Sequence, residues 1–425
     1  MKKSIYLGLL LLLGAYASVF SQTLTSAGNQ PIPGINKDRV SKINSMLDEA
    51  ISKEQVPGLV AMIVKDGKII YHEAKGFADV ESKKAMEKNS IFRIASQTKA
   101  ITSTAIMVLW EEGKFRLDDP ISKYIPEFKN PQVLNTFRYA DTTFSARPSS
   151  REITIRHLLT HTSGLGYGVI DGDERMKMIY HKAGVVDLFT TEKVTIEESV
   201  KRLAKLPLHH EPGTKYTYSE GLDVLGYLVE IISGKPFDVF LKERIFDPIG
   251  MNDTRFYLND AQATRLVTVH TRKENEWVSY PVTFYDPAYP KTGSKTFFSG
   301  GAGLSSTTED YAKFLQMYLN GGIYNGKRIL SPHTINTIMI NQVGDLLGEG
   351  GKDYGLAFGL VDQKGVQLGG IGSLGTFDWG GYFNTQYFAD PQTGIIGLIF
   401  KQTSGAGNGD ETGWKFRQMV FTLVE

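Results

Sequence analysis

Apolar residues recur at helical spacing through residues 36–54, where Val40, Ile43, Leu47, Ala50 and Ile51 share one face and predict a helix packed on a core. The period then changes. Residues 59–65 and 68–75 are β-rich runs divided by Asp66-Gly67, the dipeptide of a tight hairpin turn. After Lys99 the chain reads Ala-Ile-Thr-Ser-Thr-Ala-Ile-Met-Val-Leu-Trp, apolar nearly all round. Such a stretch predicts a helix buried on every side, within a large protein.

Further along, Pro120 and Pro126 punctuate a turn and a short helix in LDDPISKYIPEF. Residues 167–194 hold no firm period and read as loops and short helices at the rim of a pocket. Helical patterns follow at 195–206 and 222–232, the second stopped by Ser233-Gly234-Lys235-Pro236. Weak strand patterns return at 267–282, and Thr307 and Thr308 precede an acidic turn and a helix. GLAFGLV, TQYFADP and GIIGLIF read as strands, the last two joined through Asp390-Pro391 and Gly394, and a final helix covers 412–424. No repeat, low-complexity tract or inter-domain linker interrupts this order. Sheet, helices and sheet again imply an α/β chain with a helical region, about 96–265, inserted into its sheet.

Composition adds compartment and partners. The 425 residues are 41% hydrophobic and 22% charged, the profile of a globular protein with ample core. Lys2 and Lys3 precede the apolar run IYLGLLLLLGAYASVF and the small residues Val19 and Ser21, the pattern of a secretory signal peptide over 1–21. The run is too short and wrongly flanked for a comfortable membrane span, and cleavage would leave none. Residues 22–35, polar with Gly and Pro, read as a flexible lead-in to one catalytic domain at 36–425. The chain has no cysteine, so an exported protein would rely on packing without disulfides. Loss of the leader takes the formal net charge from +1 to −1, and no basic run offers a footprint for nucleic acid.

The candidate chemistry opens the buried helix. Ser96 and Lys99 stand three residues apart, so hydroxyl and amine meet across one helical turn. A serine hydroxyl needs a base, and a desolvated amine is one of the few side chains able to serve. Backbone N–H groups at a helix start also favour developing negative charge. Tyr218, in PGTKYTYS on a loop ahead of a helix, could relay protons if its phenol faces that lysine. His157 and His161 share a helical face, but no Glu completes H-E-x-x-H and no third ligand is evident. They read as helix-end histidines satisfied by backbone groups, and His209 and His210 as part of a turn. No metal or organic cofactor is implied. The aromatics Tyr167, Tyr285, Tyr289, Phe297, Phe298 and Tyr382 hint at a pocket lining, although scattered aromatics more often belong to cores.

In this order FRIASQTKAIT, LDDPISKYIPEF, ITIRHLLTHTSGL, PGTKYTYS, GGAGLSST and FDWGGYFNT resemble the serine β-lactamase-like family, which includes class C β-lactamases, D-alanyl-D-alanine carboxypeptidases and family VIII carboxylesterases. The resemblance implies a β-lactamase/transpeptidase-like fold of antiparallel sheet flanked by helices. It makes Ser96 the acylated nucleophile, Lys99 its base and Tyr218 a second general base. The literal Lys291-Thr292-Gly293 falls too early for the family's third motif; Trp379-Gly380-Gly381 stands at the expected place and resembles the esterase branch. Tryptophan there replaces a cation that would hold a substrate carboxylate. The two glycines allow close approach, and the backbone N–H of Tyr382 or Gly381 would join that of Ser96 as an oxyanion hole. Glu220 departs from the family's asparagine and is expected to point away from Lys99.

These readings converge on an exported serine hydrolase acting on carboxylic esters through a Ser96 acyl-enzyme, its partner a small-molecule ester, amide or lactam. The alternatives are a β-lactamase or D-amino-acid-specific peptidase, an acyltransferase, and a penicillin-binding or sensor protein without turnover.

Overall fold

The computed structural model describes residues 22–28, 32–369, 371–405 and 409–425; the leader expected at 1–21 lies outside the described residues. One twisted sheet organises the chain. Its strands are β1 (Thr25–Ser26), β2 (Gly58–Lys65), β3 (Lys68–Asp79), β4 (Lys352–Tyr354), β5 (Gly359–Val361), β6 (Phe377–Gly380), β7 (Thr385–Asp390) and β8 (Ile395–Phe400). They lie in the order β1-β3-β2-β8-β7-β6-β5-β4, antiparallel throughout except β1 on β3. Lys84–Ala85 adds a short piece to β3. The segment read as a flexible lead-in is therefore tied down in part, through β1 on the sheet edge.

The helices that frame the site are α1 (Lys37–Ser52), α2 (Thr98–Glu111), α3 (Gly221–Ser233), α4 (Thr308–Leu319) and α5 (Thr412–Phe421). Along β2, Leu59, Ala61 and Ile63 face a layer shared with Ile43 and Leu47 of α1 and Phe416 and Val420 of α5. Val60, Met62 and Val64 face the larger core, to which α2, α3 and α4 contribute. A strand covered on both faces has no polar side to show, which is why GLVAMIVK is apolar without alternation. Asp66 and Gly67 turn with φ of 48° and 73°. A two-residue hairpin turn of this hand needs positive φ at both positions, and Asp-Gly tolerates it.

Residues 98–109 of α2 are all buried, as the unbroken apolar pattern predicts. Its polar side chains find partners inside: Thr102 Oγ1 donates to the Gly300 carbonyl at 2.7 Å, Ser103 Oγ to that of Leu356 at 2.8 Å, and Thr104 Oγ1 lies 2.7 Å from the Tyr318 hydroxyl. Satisfied hydroxyls carry little penalty for burial. Among the elements of the middle of the chain that its sequence does not announce is a hairpin of Gln132–Arg138 and Thr143–Pro148. Its second strand is exposed along its whole length, so no buried face imprints a period of two. No described helix is long and apolar enough to cross a membrane.

Candidate active site

Ser96 lies in a 3-10 turn, Ala95–Gln97, that leads into α2, and not on the α-helix itself. Side chains three apart eclipse in such a turn, so the pairing with Lys99 is kept. Lys99 Nζ is 3.3 Å from Ser96 Oγ and donates to the Gly301 carbonyl at 2.8 Å. Lys99 is fully buried, whereas Ser96 is half-buried and opens to a cavity. Immediately before the serine, Ala95 has φ of 44°. That conformation costs a residue with a Cβ about 1–3 kcal/mol, and burial of Ala95 within a cluster with Tyr167 and Phe189 holds it there.

Tyr218 reaches the same place from the loop ahead of α3. Its ring, not its hydroxyl, faces the amine: Lys99 Nζ is 4.6 Å from the ring centroid, and 5.4 Å from that of Tyr167. The Tyr218 hydroxyl is buried without a hydrogen-bond partner among the described residues. No hydrogen bond joins the phenol oxygen to Lys99, the condition set for a direct relay between them. Behind Tyr218 stands His161, ring centroids 4.5 Å apart, with Nδ1 accepting from the Ser219 N–H at 3.1 Å. Burial, and next to it the Lys99 charge, hold the His161 pKa well below the ordinary value, so this ring is a neutral buttress.

The third wall is Trp379-Gly380-Gly381. β5 pairs with β6 only at Phe377 and Asp378, so the backbone beyond runs free on that side. The Trp379 ring lies 5.9 Å from Tyr218 and 5.4 Å from Tyr354. A Cβ on Gly381 would stand 2.5 Å from the Ile94 carbonyl oxygen, so glycine is what lets this strand close on the turn carrying Ser96. The Gly381 N–H is spent on the Thr385 carbonyl at 2.8 Å. Of the two donors expected from the sequence, Tyr382 is the one left: neither its amide nor that of Ser96 finds an acceptor among the described residues. Ser96, Tyr218, Trp379, Gly380 and Gly381 line part of a cavity of about 520 Å³, whose other ten lining residues lie on β4, β6, β7, β8 and α5. Lys291-Thr292-Gly293 is elsewhere, at the end of the short helix Tyr289–Thr292 with Lys291 exposed.

A group of buried acids lies behind Lys99, of which the sequence singled out only Glu220. Glu220 is buried at the start of α3; burial first, then Asp187 and Asp223, push its pKa well above the ordinary carboxyl value. Asp223 is likewise raised by burial, an effect that Lys99 opposes. Asp187, on the far side, is pushed up to about 6, chiefly by burial. The signal for Asp223 was present in the sequence as one acid inside the apolar run GLDVLGYLV. The other histidines serve local structure. His157 closes a capping box with Thr154, His209 Nε2 lies 3.0 Å from Asp171 and His210 Nε2 2.9 Å from the Thr217 hydroxyl. Of the six aromatics weighed as a lining, Tyr167, Tyr285 and Tyr289 pack with Phe189 in their own cluster, and Phe297 and Phe298 belong to the main core.

A family model described as Beta-lactamase matches residues 43–418. An uncharacterized protein of Mycobacterium tuberculosis is 33% identical over 360 residues, 81% of this chain and 85% of its own. Esterase EstB of Burkholderia gladioli is 29% identical over 392 residues, 86% of this chain and 91% of its own. Among solved structures, EstCE1, described as a hydrolase with promiscuous acyltransferase activity, superposes with a TM-score of 0.76 at 26% identity, covering 91% of this chain and 99% of that one.

Proposed function

The chain belongs to the beta-lactamase family of serine hydrolases, and from that premise we propose that it is an exported esterase working through an acyl-enzyme on Ser96. The observation that carries the reading is a fully buried amine, 3.3 Å from a serine hydroxyl that opens to a cavity. Ser96 Oγ attacks the ester carbon while Lys99 takes its proton; the carbonyl becomes an oxyanion held by the Ser96 and Tyr382 amides. The C–O bond to the alcohol then breaks, and the leaving alkoxide receives a proton through Lys99 and Tyr218. Water repeats the sequence on the acyl-serine and releases the acid. The unpartnered Tyr218 hydroxyl supports a role completed only when substrate oxygen arrives. Export rests on the leader pattern at residues 1–21.

Ester specificity is favoured by Trp379, an apolar face where a carboxylate-binding relative would need a cation, and by the names of EstB and EstCE1. Intact-mass analysis after a fluorophosphonate, comparing wild type with Ser96→Ala, tests the nucleophile: one adduct on wild type and none on the variant is expected. Turnover of p-nitrophenyl butyrate beside nitrocefin and a D-Ala-D-Ala peptide tests the substrate class, and dominance of the latter two overturns it. Acyl transfer to an added alcohol, supported by the activity described for EstCE1, is the second reading; it is measured as ester product formed in competition with hydrolysis.

A further inference from the structure

Asp223 is a buried carboxyl that the chemistry above leaves unused, and hydrogen bonds run from it to the base. Its Oδ1 accepts from the Gly301 N–H at 3.2 Å. The Gly301 carbonyl, belonging to the next peptide group, accepts from Lys99 Nζ at 2.8 Å. The N–H of that same peptide group, on Ala302, donates at 3.0 Å to Ser299 Oγ. The two peptide N–H groups that flank the Gly301 carbonyl are thus held separately, that of Gly301 by the Asp223 carboxyl and that of Ala302 by Ser299. On the opposite flank, Thr102 of α2 donates to the Gly300 carbonyl at 2.7 Å.

The glycines of this loop have the same cause. A Cβ on Gly300 would run into the Leu222 carbonyl, and one on Gly301 would stand 2.6 Å from Asp223 Oδ2. Only a loop without side chains can lie this close to α3. Lysine carries four rotatable carbons, and its amine needs a fixed acceptor to be directed at Ser96.

We propose that Asp223 is a positioning residue for Lys99: by holding the Gly301 N–H it fixes the residue whose carbonyl aims the Lys99 amine at Ser96 Oγ. This rests on the reading of Lys99 as the base for Ser96. The arrangement predicts an effect of Asp223 on turnover and not on substrate binding, since Asp223 lies behind Lys99 and does not line the cavity.

The test compares Asp223→Ala with Asp223→Asn, which keeps an oxygen for the Gly301 N–H. The measurements are kcat and KM on p-nitrophenyl butyrate, the rate of Ser96 labelling by a fluorophosphonate, and the melting temperature. Asp223→Ala is expected to lower kcat and the labelling rate about 100-fold, the scale of a misplaced catalytic group, with KM within about threefold. Asp223→Asn is expected to recover at least about tenfold of that loss. The proposal is overturned if the folded alanine variant keeps kcat within about threefold of wild type, or if asparagine is as slow as alanine. Should the alanine variant fail to fold, asparagine decides alone: a fall in kcat of no more than about tenfold at constant KM supports the proposal, and a change confined to KM overturns it. A wild-type protein that is labelled but turns over no ester removes the esterase reading and leaves Asp223 to be judged on the labelling rate.

Discussion

Gly381→Ala is the substitution that most directly tests the oxyanion site. The added Cβ would stand 2.5 Å from the Ile94 carbonyl oxygen and against the Thr385 hydroxyl. Ordinary contact is about 3.5 Å, so something must move by about 1 Å. The threonine hydroxyl can rotate away, but Ile94 O cannot: it accepts from the Gln97 N–H at 3.0 Å within the very turn that bears Ser96. Relief therefore opens the gap between the Trp379-Gly380-Gly381 strand and the nucleophile, carrying the Tyr382 amide with it. Losing one such donor costs about 3 kcal/mol of barrier, a fall in kcat of about 100- to 1000-fold. Gly380→Ala is the control, because its Cβ would meet only the Thr385 carbonyl oxygen at 3.3 Å and Gln386 Cγ at 4.0 Å. It should keep kcat within about threefold, an effect below the loss of any single donor. The assay is steady-state hydrolysis of p-nitrophenyl butyrate on variants with wild-type melting temperatures. A folded Gly381→Ala enzyme with kcat within about threefold of wild type would refute the assignment of Tyr382 as donor.

Trp379→Ala removes an apolar wall and is expected to raise KM for the butyrate ester about tenfold, on the scale of one large apolar contact; an unchanged KM would show that the acyl chain lies elsewhere. Asp187, pushed up to about 6 mainly by burial, keeps its proton in the folded chain where the unfolded chain has lost it. Stability should therefore fall as pH rises from about 4 to about 6, by up to about 3 kcal/mol, and stay lowered above. Asp187→Asn lifts that penalty, so urea unfolding should show the variant gaining on wild type at pH 8 and not at pH 3.5; an equal difference at both pH values would exclude it. Lys401 and Asp410 form a buried ion pair at 2.6 Å, their side chains 1% and 6% exposed. Asp410→Ala strands the lysine and should cost about 3–5 kcal/mol of unfolding free energy; a loss below about 1 kcal/mol would mean that water reaches Lys401 in the variant.

Signals that depend on near neighbours in the chain were legible without coordinates. The Asp66-Gly67 hairpin follows from the φ that two residues can adopt, and the burial of α2 follows from the absence of any polar stripe after Lys99. The meeting of Ser96 and Lys99 needs only a helical turn. The hairpin at 132–148 shows the converse, since its second strand buries no face and its first buries fully only Val133, too little to leave a period to read.

What tertiary structure decided is which way the long-range partners face. Nothing local tells that Tyr218 presents its ring to Lys99, that the Gly381 strand closes on Ile94, or that Asp223 reaches Gly301. Positions 96, 218, 301 and 381 belong to four separate segments, and their mutual geometry is set by how the sheet, α2 and α3 pack. Residue type and spacing carry conformational preference over a few residues, whereas the aim of a hydrogen bond across hundreds of residues exists only once the core between them has closed.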